Sequence, residues 1–261
     1  MKKTFLFAAF AALCMTSCMN EEFPNAPQVS EPGYGYINLN VSNDPIMVTR
    51  AGVPSWLISA TKDDSPYTGI ESGVNKVPEG TYVITAKSHN SIDEANTLNK
   101  YGEPYFEGVS SATQVSAGES KSIGIDCGVA QNSKLTLVNE LNTSVFSDVK
   151  LNATSPNREL SLSKDNPSAF YSIRTTVNYN ISYKYNGGVD DKFIKNNGED
   201  YTISIAEAAK DYQIKLTSTD NGNITVSVTY NSEFNTVESE EFTVDAATGG
   251  VVNDGEEQSG N

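Results

Sequence analysis

The chain reads as an all-β protein, with two consecutive β-sandwich units behind an N-terminal export segment. Three observations predict this. Apolar and polar residues alternate with a period of two in many short runs. Clusters of glycine, asparagine, aspartate and proline separate those runs at regular spacing. Helix-period patterning is nearly absent: only Ser204 to Asp211, around Ala206, Ala208 and Ala209, suggests a helical turn.

The N-terminus predicts export. Met1-Lys2-Lys3 is a short basic start, and Thr4 to Leu13 is an apolar run. That run is too short for a bilayer span, which takes roughly 20 residues, and suits a cleaved signal peptide covering residues 1–17. Thr16 and Ser17 are the small residues that a diacylglyceryl-transfer and cleavage pathway needs, and Cys18 supplies the thiol. Cys14 follows Leu13 and fits that pathway poorly. Cys18 is therefore the expected lipidation site and first mature residue. Several acyl chains on one residue give stable anchoring where a single chain is marginal. Residues 18–33 form the expected tether, in which Glu21-Glu22 and three prolines give a polar, extended spacer. An acidic stretch directly after the lipidated cysteine is similar to the export tether of Bacteroidota-type lipoproteins. It implies an outer-membrane protein displayed on the cell surface.

Composition narrows the partners. Residues 1–17 hold two of the 18 basic residues and none of the 33 acidic ones, so cleavage takes the formal net charge from −15 to −17. A chain so acidic is repelled by nucleic acid and by anionic lipid, and neither is expected as a partner. With Cys18 lipidated, Cys127 has no thiol to pair with, so stability must come from packing.

The strands follow in order. Ile37, Leu39 and Val41 alternate with Asn38, Asn40 and Ser42. Tyr82-Ile84-Ala86, Ile123-Ile125-Cys127, Leu135-Leu137 and Val149-Leu151-Ala153 repeat the pattern. Tyr179-Ile181-Tyr183-Tyr185, Tyr201-Ile203-Ile205, Tyr212-Ile214-Leu216, Ile224-Val226-Val228-Tyr230 and Phe242-Val244 complete it. These runs are expected to form an N-terminal sandwich over residues 34–130 and a C-terminal one over 131–246, each immunoglobulin- or transthyretin-like. Residues 247–261 are acidic and aperiodic, the composition of a disordered tail. No sequence repeat relates the two halves.

No catalytic constellation is evident. His89 is the sole histidine, placed in a loop just past a strand, and one histidine cannot build a histidine-rich metal site. Cys127 continues the inward face of Ile123 and Ile125, so an inert core thiol is expected rather than a nucleophile. Asp190-Asp191 and Glu199-Asp200 flank a glycine- and asparagine-rich stretch that does not match the calcium-loop template. Gly33-Tyr34-Gly35 opens no strand–turn–helix unit and is no nucleotide loop. Trp56 is the candidate ligand-contact aromatic, with the 13 tyrosines as further stacking surface for sugars. Against that stands the preference of strands for aromatics in general. No cofactor and no metal are expected.

Particular motifs carry a resemblance. Gly35-Tyr36-Ile37-Asn38-Leu39 through Val48-Thr49-Arg50-Ala51 is similar to the opening of an uncharacterised family of Bacteroidota-type surface lipoproteins, a domain of unknown function. Val77-Pro78-Glu79-Gly80-Thr81-Tyr82, then Pro104-Tyr105-Phe106-Glu107-Gly108, then Ile123 to Cys127 resemble its later blocks. The likeness covers residues 34–140 well and the C-terminal half only loosely. More widely, the chain resembles fimbrillin-like pilins, two-sandwich lipoprotein precursors cut after an arginine beyond the first strand. That resemblance implies Arg50 as the candidate processing residue and other surface or pilus subunits as partners. Unlike the pilins, the chain shows no evident C-terminal donor strand, Val251-Val252 being a short apolar patch. The expected function is a non-enzymatic surface lipoprotein in adhesion or pilus assembly. The alternative is a glycan-binding lipoprotein serving an outer-membrane nutrient-uptake system. Replacing Cys18 with alanine is expected to abolish metabolic labelling with palmitate; unchanged labelling would remove the anchor from this reading.

Overall fold

The computed structural model describes residues 31–42, 55–219, 222–231 and 236–252. Cys18 and Arg50 lie outside them. No helix of the described residues is long and apolar enough to cross a membrane.

The first half runs β1 (Tyr34–Ser42), β2 (Leu57–Lys62), β3 (Ser65–Tyr67), β4 (Gly73–Pro78), β5 (Gly80–Lys87), α1 (Ile92–Thr97), β6 (Glu107–Val109), β7 (Thr113–Val115) and β8 (Ser120–Asp126). One sheet has the order β4-β1-β8; the other has the order β3-β2-β5-β6, with β7 also on β5. The alternation read from the sequence points Ile37, Leu39, Val77, Tyr82, Ile84, Ala86, Ile123 and Ile125 into a common core. Its largest fully buried member, Tyr82, still satisfies its hydroxyl by donating to the Pro78 carbonyl at 2.6 Å.

The second half runs β9 (Asn132–Glu140), β10 (Phe146–Ser155), β11 (Arg158–Leu162), β12 (Ser168–Ser172), β13 (Thr175–Tyr185), β14 (Lys192–Ile194), β15 (Tyr201–Ile205), β16 (Asp211–Ser218), β17 (Ile224–Asn231) and β18 (Thr236–Val244). Its sheets are β12-β9-β16-β17-β18 and β11-β10-β13-β14, with β15 also on β13. A separate core gathers Leu135, Leu151, Leu162, Tyr179, Ile181, Tyr183, Ile214 and Val226. The fold is thus all-β, with mixed and antiparallel sheets in sandwich-like layers.

The halves share one topology. β1 pairs antiparallel with β4 and parallel with β8, as β9 does with β12 and β16. β2 pairs with β3 and β5, as β10 does with β11 and β13. β5 pairs with β6 and β7, as β13 does with β14 and β15. The second half adds β17 and β18 beyond β16. The repeat is one of strand order alone, which explains why no sequence repeat marks it.

Two local readings change. Residues 206–210 form a non-helical turn, with Ala209 in the left-handed region at a φ of 55°. The one helix among the described residues lies instead at Ile92–Thr97, a stretch to which the sequence pattern assigns no element. Ser91 caps it by accepting from the Glu94 N–H at 3.1 Å, and Asp93 and Glu94 suit the positive end of its dipole. Residues 247–252, the start of the expected tail, fold back on β18: Val251 bridges Val244, and the Val252 N–H donates to the Thr243 carbonyl at 2.8 Å.

A buried polar cluster joins the halves. Asn132, 0% exposed, opens β9. Its amide accepts from the Tyr105 N–H at 2.9 Å and donates to Asn96 Oδ1 at 2.8 Å and to the Glu103 carbonyl at 2.9 Å. Asn96 in turn donates to Ser172 Oγ on β12 at 2.8 Å. Arg158 donates to the carbonyls of Asn96 and Phe170, and its guanidinium lies 4.2 Å from the centre of the Tyr171 ring. Burial pulls the Arg158 pKa below its usual value, an effect the nearby Tyr171 opposes. Asn132→Ala strips partners from two buried groups, the Tyr105 N–H and Asn96 Oδ1, each costing on the order of 1–3 kcal/mol when unpaired, and from the part-buried Glu103 carbonyl. Chemical denaturation should show that loss, whereas stability within about 0.5 kcal/mol of the parent, as for an ordinary surface change, would contradict this role.

Candidate functional site

The sequence-predicted first strand proves to be the middle strand of its sheet. Along β1, Gly35, Ile37 and Leu39 are buried, and Tyr34, Asn38 and Asn40 turn outward. Gly35 is required by space: a Cβ there would lie 2.5 Å from Val115 Cγ1 and 2.6 Å from the Ser116 carbonyl oxygen. Backbone bonds fasten both ends. Tyr36 N–H donates to Glu119 O at 2.7 Å, Gly118 N–H to Tyr34 O at 2.7 Å, and Cys127 N–H to Ser42 O at 3.0 Å. Among the described residues, β4 and β8 join in one sheet only through β1. A β1-shaped slot therefore has an apolar floor, two strand edges as walls and a glycine-sized constriction at Gly35. Chemically, it can hold an extended segment with alternating apolar side chains.

On the outer face, Lys76 on β4 pairs with Glu31, just before β1, and its ammonium lies 4.7 Å from the centre of the Tyr34 ring. Residues 43–56 connect β1 to β2 and carry Arg50, so the structure describes the strand but not the candidate processing residue.

The motif blocks meet beside this slot. A Cβ on Gly108 would lie 2.5 Å from the Asp126 carbonyl oxygen and 2.9 Å from Cys127 Sγ. The glycine of Pro104-Tyr105-Phe106-Glu107-Gly108 thus lets β6 approach the end of β8. Tyr105 donates its hydroxyl to Glu107 at 2.7 Å, which holds the Glu107 carboxyl below its usual pKa; the Tyr105 pKa is raised, chiefly by burial.

The other candidates are scattered. Trp56 is half-buried and packs against the first core. His89 lies past β5, with Nδ1 2.9 Å from Ser88 Oγ and Nε2 3.7 Å from Glu103. Ser88 Oγ also accepts from the Phe106 N–H at 2.9 Å, so this group fastens the connection to β6. Sequence reasoning passed over these contacts because Glu103 is remote in the chain. Asp200 pairs with Lys195 at 3.4 Å and accepts from Asn180 at 3.0 Å. Among the described residues, no group of three or more histidine, cysteine, aspartate or glutamate side chains is placed to hold a metal ion.

Cys127 is 1% exposed and packs in the first core. Burial pushes its thiol pKa up to about 11. A raised thiol pKa stabilises the folded state fully below the ordinary thiol pKa, and that contribution is lost as pH rises through about 11. Native protein at neutral pH is expected to label slowly with thiol reagents and unfolded protein rapidly. Equal rates would show that Cys127 is accessible.

Residues 57–246 match the family described as "Domain of unknown function (DUF4493)". No curated protein matches the chain. Among solved structures, a fimbrial assembly protein from Parabacteroides distasonis is similar over 79% of this chain and 99% of its own, at 11% identity and a TM-score of 0.42. The tip fimbrial protein Mfa3 from Porphyromonas gingivalis, with C-terminal truncation, matches over 76% and 98%, at 10% identity and a TM-score of 0.38. The fimbrial anchor protein Mfa2 from the same organism matches over 78% and 99%, at 10% identity and a TM-score of 0.37. Likenesses this faint do not establish a shared function. The family match spans most of the chain, which therefore belongs to the DUF4493 family.

Proposed function

We propose that this chain is a non-enzymatic lipoprotein of the outer-membrane surface that acts in adhesion or pilus assembly, with β1 as an exchangeable strand. One observation carries the reading: a strand filling the middle of a sheet is covalently continuous with the rest of the fold only through residues 43–56, which contain Arg50. Once hydrolysis after Arg50 breaks that link, pairing and side-chain burial alone retain β1. The anchoring cysteine proposed at Cys18 would stay with β1, so departure of the strand would also free the body of the protein from its lipid.

Departure has a cost that another strand can recover. Ile37 and Leu39 are 0% and 2% exposed, and burying such a side chain is worth roughly 1.5–3 kcal/mol. The emptied slot would also leave unpaired backbone groups on β4 and β8, a ready template for strand addition. An incoming segment needs apolar side chains at alternate positions and a small residue opposite Val115.

The glycan-binding alternative calls for aromatics gathered on the surface. Tyr82, Tyr179 and Tyr183 are fully buried and Trp56 lies against a core, which favours the adhesion reading. Brief trypsin treatment of the native protein should cut first after Arg50 and then shift it from monomer to larger species on a sizing column. Resistance at Arg50, or a cut chain that remains a stable monomer, would contradict strand exchange.

A further inference from the structure

The shared topology of the halves exposes a difference between two equivalent edges. β4 and β12 are both edge strands lying antiparallel to the first strand of their unit. Their registers can be matched. Tyr36 and Lys134 each begin a parallel ladder, with Ser120 and Asp211 respectively. Their antiparallel partners are Lys76 and Phe170, which therefore occupy the same place.

In the second unit this place is capped. The Phe170 N–H donates to the Tyr101 carbonyl at 2.9 Å, and its carbonyl accepts from Arg158. Tyr101 lies in the β5–β6 connection, so the first unit covers the β12 edge of the second. In the first unit, the Glu79 N–H bonded to Gly33 O sets the phase of the ladder. Gly35–Val77 and Ile37–Asn75 are then the pairs that exchange bonds, and Val74 and Lys76 turn their N–H and carbonyl groups away from β1. No hydrogen bond occupies those outward groups among the described residues. Val74 is 61% exposed.

The capping element has a counterpart as well. Topology equates the β5–β6 connection with the β13–β14 connection, residues 186–191. That segment carries Val189, 85% exposed, and the exposed Asp190 and Asp191. Its bare apolar tip and acidic pair complement Val74 and Lys76 in hydrophobicity and charge.

We propose that the relation between the two units repeats between molecules: the β13–β14 connection of one copy caps the β4 edge of the next, with Val189 against Val74 and Asp190-Asp191 facing Lys76. Lys76 then exchanges its present partner, Glu31, for carboxylates of the second copy. The contact is heterologous, joining unlike surfaces, so successive copies stack head to tail. It needs no cleavage at Arg50 and goes beyond the strand-exchange reading.

Cysteine cross-linking tests it in the full chain carrying Cys14→Ala, Cys18→Ala and Arg50→Ala, so that neither lipid nor cleavage contributes. Val74→Cys and Val189→Cys are made separately and together; both positions are exposed, and circular dichroism checks the fold. Under mild oxidation, mixed single variants should give the Val74–Val189 heterodimer above the statistical mixture, and the double variant a ladder of linked species. Val109→Cys, 58% exposed on β6, reports random collision. Cross-linking of Val74 with Val189 no greater than with Val109, or self-pairing of either variant in excess, would overturn the proposal. Because Arg50 is absent, failure here leaves the strand-exchange reading intact.

Discussion

The double pairing of the first strand in each unit, antiparallel on one side and parallel on the other, is the constraint on which the architecture depends. β1 cannot complete its parallel ladder until the chain has travelled through β2 to β7 and returned as β8. Such a contact is long-range and costs loop-closure entropy before it contributes stability. The strand at the N-terminal end of the fold thus sits at its structural centre. Its place is set by apolar burial and ladder bonds, which any suitable extended segment could supply.

The second unit uses the same scheme and shields it better. β17 and β18 lie beyond β16, and the β12 edge is covered by Tyr101 from the first unit and by Arg158 from β11 of its own unit. Exposed strand edges invite association, so covering them limits unwanted pairing. The cover also fixes the units against each other, because Asn96, Asn132, Arg158 and Ser172 form a largely enclosed hydrogen-bond network. A satisfied buried network is directional where apolar packing is not, and leaving it half-satisfied is costly. The asymmetry between a shielded second unit and a first unit that depends on an N-terminal strand underlies the functional proposal.

Much of the strand pattern was legible in the sequence because alternation reports burial directly. Ile37-Leu39, Ile123-Ile125-Cys127 and Tyr179-Ile181-Tyr183 all face cores. The helix at Ile92–Thr97 left a signal, Ser91 followed three residues later by Glu94, but six residues are too few to show a helical period. The parallel pairing of β1 with β8 left none, since alternation fixes the face of a strand and not its neighbour. The roles of Asn132 and Arg158 were equally hidden: a polar residue looks the same in sequence whether it meets water or a buried carbonyl. At the candidate site, β1 and the glycine-sized contacts at Gly35 and Gly108 are now explained by geometry. Cys18 and Arg50 rest on the sequence reading alone.

Hydrogen exchange read by mass spectrometry tests the central claim most directly. In the intact chain, β1, β4 and β8 should exchange slowly and together. After cleavage following Arg50 and removal of the N-terminal peptide, β4 and β8 should lose protection while β9, β10 and β13 keep theirs. Undiminished protection of β4 and β8 without β1 would show that the first sandwich does not depend on its first strand, and the account would fail.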